Sequence, residues 1–131
     1  MLSIRRFTCE NLERNCGTDE KNPRFSFVPE SDRPGAKLVK AKLTVGDWST
    51  ETTEQIAIPY AGAALKPFTR YEATVEITDD AGETTKASLT FETGRLDTPW
   101  QGAWISDPDY HFTEKKVSPV PMTFRKTFPA D

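Results

Sequence analysis

The sequence predicts an all-β domain, an antiparallel sandwich with an extended C-terminal tail. Four segments alternate apolar and polar residues at period two, the pattern of strands with one face in a core and the other in water. Glycine and proline punctuate the gaps between them, and no window of about 11 residues carries a helical stripe. Short strands separated by such turns favour a sandwich over any helical architecture.

Lys37 to Val45 places Val39, Ala41, Leu43 and Val45 on one face, with Lys40, Lys42 and Thr44 on the other. Ile56, Ile58 and Tyr60 repeat the pattern. Tyr71, Ala73, Val75 and Ile77 then alternate with Glu72, Thr74, Glu76 and Thr78, and Ala87, Leu89 and Phe91 supply the last inner face. Asp79-Asp80-Ala81-Gly82-Glu83 has the short polar side chains and the glycine that turn one strand back on the next. Gly46-Asp47 and Gly62 mark earlier connections, and Pro23, Pro29, Pro34, Pro59 and Pro67 are expected at strand edges, where no ladder donor is needed.

Leu65-x-Pro67-x-Thr69-x-Tyr71, entering the alternating strand, resembles the tyrosine corner of fibronectin type III domains. The resemblance implies an immunoglobulin/fibronectin type III-like sandwich. Its Tyr71 ring would enter the core while the hydroxyl bonds to backbone just upstream, with Leu65 and Pro67 shaping the corner. Composition changes after Gly94. The expected domains are a sandwich over residues 1–96 and, over 97–131, a linker leading into the first strand, near Phe124 to Phe128, of a following, truncated sandwich.

Composition narrows the functions available. At 131 residues, with 36% hydrophobic and 28% charged, the chain suits one soluble domain with residues to spare. A net charge of -3 gives no basic footprint, so neither nucleic acid nor an anionic membrane is an expected partner. No apolar run reaches the roughly 18 residues of a spanning helix. MLSIRRFTCENLERN lacks the apolar core of a signal peptide, which makes the cytoplasm the expected location and free thiols the expected state of Cys9 and Cys16.

Catalytic constellations are hard to assemble from these residues. Asp79 and Asp80 adjoin in a turn, where they should diverge and stay solvated, and Asp107 and Asp109 flank Pro108 in the connector. His111 is the single histidine, so it cannot anchor a histidine metal cluster and has no nucleophile elbow beside it. No glycine-rich phosphate loop occurs, and no cofactor, metal or catalytic residue is expected. The open candidates are aromatic: Trp48, Trp100, Trp104, Tyr110 and Phe112 suit either stacking on sugar rings or burial against a neighbouring domain.

The order of short motifs adds a family. Glu10-Asn11-Leu12, Asn22-Pro23-Arg24-Phe25-Ser26-Phe27, Tyr60-x-Gly62-x-x-Leu65, Tyr71 and Asp79-x-x-Gly82 resemble the start of bacterial α-L-rhamnosidases. Phe91-Glu92-Thr93-Gly94, Trp100-x-x-x-Trp104-Ile105 and Phe124-Arg125-Lys126-x-Phe128 follow in the order that family uses to pass from its first sandwich to its second. Asn15-Cys16-Gly17, where the family often has Asn-Pro-Leu-Gly, and Phe27, where it often has tryptophan, leave subfamily and sugar preference open.

The resemblance implies a non-catalytic accessory domain of a glycoside hydrolase that removes terminal α-L-rhamnose with inversion, its catalytic (α/α)6 barrel lying outside this sequence. The implied partners are downstream domains of the same polypeptide and rhamnose-containing glycan through the parent enzyme; the unpaired edge of the tail, made alone, is expected to be disordered or to pair with another copy. A carbohydrate-binding module using exposed tryptophans, or a stand-alone fibronectin-like interaction domain, remain the alternatives.

Overall fold

The computed structural model describes residues 1–14, 16–106 and 121–129, in two units, Met1–Pro99 and Trp100–Asp131. Among its described residues the first unit holds eight strands: β1 (Leu2–Cys9), β2 (Cys16–Thr18), β3 (Arg24–Ser31), β4 (Leu38–Val45), β5 (Trp48–Thr52), β6 (Ile58–Pro59), β7 (Arg70–Asp79) and β8 (Thr84–Thr93). They form a three-stranded sheet in the order β1-β3-β6 and a five-stranded sheet in the order β2-β8-β7-β4-β5. Every pairing is antiparallel except β2 with β8. That parallel pair arises because the chain leaves β1 in one sheet and crosses to the other before running alongside β8.

The core follows from side-chain alternation. β3 turns Phe25 and Phe27 inward from the smaller sheet. Facing them are Ala41, Leu43 and Val45 of β4, Ala73, Val75 and Ile77 of β7, and Leu89 and Phe91 of β8. Phe25 links the sheets, its ring meeting Phe91 edge-on at 5.7 Å and Phe7 of β1 at 6.2 Å. Each such ring withdrawn from water contributes roughly 1.5–3 kcal/mol.

The outer face of the larger sheet is self-neutralising. Glu51, Lys42, Glu76 and Lys86 stand side by side on β5, β4, β7 and β8, each opposite a residue of the other sign. Cross-strand pairs of this kind contribute about 0.2–1 kcal/mol each and keep that face in water.

Several residues depart from simple alternation. Val39, expected inward, is 54% exposed because the β4–β7 register slips between Leu38 and Lys40; the bulge turns Val39 out and sends Leu38 against the core. Ile56, also expected inward, is 79% exposed, since Ala57 at φ +54° reverses the backbone and only Ile58 and Tyr60 keep to the buried face. Pro29 lies within β3 rather than at its edge. It sits opposite Ile4, beside a register slip in β1 and past the end of β6, where a missing donor is tolerated. In the second unit, no strand lies within the described residues 121–129.

Candidate functional site

The end of the sandwich where β3 and β7 begin and β8 finishes carries the most elaborated loops. Tyr71 enters β7 opposite Phe91, with its ring stacked on that phenylalanine at 5.4 Å. Its hydroxyl accepts the Lys66 N–H at 2.8 Å, so the corner closes over Leu65, which is buried, and Pro67. Thr93 secures the same loop from β8: its buried hydroxyl donates to the Lys66 carbonyl at 2.5 Å and accepts the Thr69 N–H at 3.0 Å. Phe68 lies between these ties. Its N–H donates to the Gly94 carbonyl at 2.9 Å, its φ is +50°, and its ring is 69% exposed.

Trp48 opens β5 opposite Val45 and is half-buried, its ring edge-on to Tyr60 at 4.9 Å. It packs against the core as part of the wall of the sandwich. Tyr60 donates its hydroxyl proton to the Ala63 carbonyl at 2.8 Å, and burial raises its phenol above the ordinary range. This arrangement explains Gly62 in the Tyr60-x-Gly62 motif: a Cβ there would lie 2.7 Å from the Trp48 Cβ and 2.6 Å from Cζ of Tyr60. Beside it runs a groove of about 560 Å3 lined by Leu65, Pro67, Leu96 and Pro99, with Lys21 and Asp97 paired at 2.6 Å on its rim.

Two other motifs are tied together. Glu10 accepts from the Arg24 backbone N–H at 2.7 Å and from its guanidinium at 2.9 and 3.2 Å, which lowers the carboxyl pKa. Asp19 accepts the Leu96 N–H at 2.8 Å, and its Cγ would lie 2.9 Å from a Cβ placed on Gly94. Gly94 is thus the residue that lets the chain leave β8 across this carboxylate.

The acidic pair differs from expectation. Asp79 is buried, not solvated, because its carboxylate caps the hairpin, accepting the N–H groups of Ala81 and Glu83, both at 2.9 Å, and Arg33 at 2.8 Å. Asp80 turns to the same guanidinium and accepts the Lys37 N–H at 3.2 Å. The two side chains converge on Arg33, which holds both carboxyls below the usual range. Carboxylates held ionised in this way are poor general acids. Cys9 and Cys16 are free thiols inside the core; burial pushes Cys9 up to about 12 and raises Cys16, whose thiol donates to the Leu12 carbonyl at 3.1 Å.

In the second unit Trp100 is 78% exposed and Trp104 fully so. Asp107, Asp109, Tyr110, His111 and Phe112 lie outside the described residues. The sequence singles out Tyr71 for its hydroxyl bond to upstream backbone, names Tyr60 and Thr93 only within a strand face and a motif, and gives no role to Phe68. Only the spacing Tyr60-x-Gly62 hinted at the second tyrosine, and nothing in the sequence signals a positive φ at Phe68.

A family model described as Rha78A-like, N-terminal immunoglobulin domain matches residues 4–97. The chain belongs to that family. The α-L-rhamnosidase of Streptomyces avermitilis is 30% identical over an aligned stretch of 115 residues, with 76% of this chain and 11% of that protein covered. The crystal structure of an S. avermitilis α-L-rhamnosidase complexed with L-rhamnose superposes with a TM-score of 0.74 at 28% identity, covering 82% of this chain and 12% of that one. An α-L-rhamnosidase structure from Dictyoglumus thermophilum gives a TM-score of 0.66 at 26% identity, over 73% of this chain and 13% of the other. The Rha78A-like immunoglobulin domain is thus a small part of multidomain relatives, and this chain spans about a tenth of their length.

Proposed function

We propose that this is the non-catalytic N-terminal domain of a multidomain α-L-rhamnosidase, and that it packs against later domains of the same polypeptide to hold their arrangement. The observation that carries the reading is the match over residues 4–97 to a domain that makes up only 11% to 13% of rhamnosidase relatives. Inverting hydrolysis of a rhamnoside needs two carboxyl groups across a water-filled gap, one of them protonated. Asp79 and Asp80, fixed by Arg33 in a hairpin, suit a structural role instead. In this reading residues 1–96 are the sandwich, and 97–131 lead to the first strand of a second one.

Hydrolysis of an aryl α-L-rhamnoside tests it. The 131-residue chain should release no nitrophenol above buffer, while the polypeptide extended through its helical barrel should turn over. Release that scales with the concentration of the purified chain contradicts the reading. Saturable quenching of tryptophan fluorescence by rhamnosides in the chain alone would instead favour a sugar-binding module.

A further inference from the structure

We propose that the loop surface around Phe68 receives the domain that follows in the same polypeptide, with the Phe68 ring buried in that neighbour and the adjacent groove taking an apolar side chain in return. The inference rests on the reading of the chain as part of a larger enzyme, and adds the surface by which it joins.

Strain and exposure coincide at Phe68. A bulky residue at φ +50° is disfavoured, and such strain persists only where the surroundings impose it. Here the surroundings do: the Phe68 N–H is bound by Gly94, and Lys66 is held at its N–H by Tyr71 and at its carbonyl by Thr93. Two strands therefore fix a loop whose central ring stands 69% exposed. The exposed ring itself adds little to the isolated sandwich, whereas an aromatic anchor held rigid in advance loses little entropy on docking.

The place where the chain leaves the sandwich names the occupant. Leu96 and Pro99 line the groove, and Pro99 is the last residue of the first unit, so the polypeptide departs from the groove wall itself. The relatives carry nearly nine-tenths of their length outside the matched domain. A domain tethered this close meets the surface at high effective concentration. The broad outer face of the larger sheet is a poorer candidate, since its alternating row of Glu51, Lys42, Glu76 and Lys86 is best left hydrated.

Hydroxyl-radical footprinting of the 131-residue chain and of the polypeptide extended through the following domain tests the surface. On extension, Phe68 oxidation should fall by roughly tenfold, as its 69% exposure gives way to that of an interface core, while Ile56 stays reactive. Phe68→Asn supplies an independent sign: asparagine accepts positive φ readily, so the short chain should melt at the same or a higher temperature, while the domain in the extended polypeptide melts lower. Equal Phe68 oxidation in both proteins overturns the proposal. So does protection in the short chain that depends on its concentration, pointing to a second copy, or on added rhamnose, pointing to a sugar site. Rhamnoside turnover by the extended polypeptide is measured alongside, so failure of the parent-enzyme reading is seen separately from failure of the surface.

Discussion

Tyr71→Phe should destabilise the sandwich modestly and by a calculable amount. The substitution removes one oxygen and leaves the ring, so the stack on Phe91 at 5.4 Å persists. What disappears is the acceptor for the Lys66 N–H at 2.8 Å. Lys66 is exposed, so water can reach the freed N–H and the loss stays near that of an ordinary neutral hydrogen bond, about 1 kcal/mol. For a cooperative unit running from Met1 to Pro99, that corresponds to a fall in Tm of roughly 4–8 °C. Far-UV circular dichroism during thermal and urea unfolding reads it, with the urea m-value unchanged because the same surface is exposed. A Tm within about 1 °C of the parent would refute the reasoning, showing that water replaces the hydroxyl without cost. A loss beyond about 3 kcal/mol would also refute it, because the ring itself would then have moved.

Further outcomes follow from the same structure. Phe25→Ala should cost about 3–5 kcal/mol in urea unfolding, since it empties the contact between the two sheets at Phe91 and Phe7. Asp79 and Asp80 have folded pKa values below their unfolded ones, so their contribution is present above the unfolded value near 3.9 and is lost as pH falls through the folded values. A melting profile against pH should therefore be level above about pH 5 and drop below about pH 4, whereas Arg33→Met, which removes the cation that lowers both carboxyl pKa values, should melt lower at neutral pH and show a smaller drop on acidification. Neither Cys9 nor Cys16 should react with a thiol reagent in the native chain at neutral pH, and both should react after denaturation, because burial keeps them protonated.

The strands legible in the sequence are those whose inner and outer faces differ throughout. β7 is the clearest, with Ala73, Val75 and Ile77 all fully buried. β1 was illegible because its register slips between Ile4 and Arg6, which breaks the alternation. β3 was obscured by Pro29, β2 by its length of three residues, and β5, WSTET, by its polar composition at the sheet edge. The errors at Val39 and Ile56 share one cause: a bulge or a positive φ changes which face a residue occupies without changing residue type. The pattern around Leu65, Pro67 and Tyr71 was readable because it is local. Phe68 was not, since its strain is imposed by bonds from β7 and β8.

The claim that this domain supports the enzyme without performing its chemistry is tested most directly by deleting residues 1–99 from the extended polypeptide. Turnover of an aryl α-L-rhamnoside should persist in freshly prepared protein, while the remaining domains unfold at a lower temperature. Loss of turnover in a deletion protein that melts as the parent does would contradict the account, because it would place chemistry within these residues.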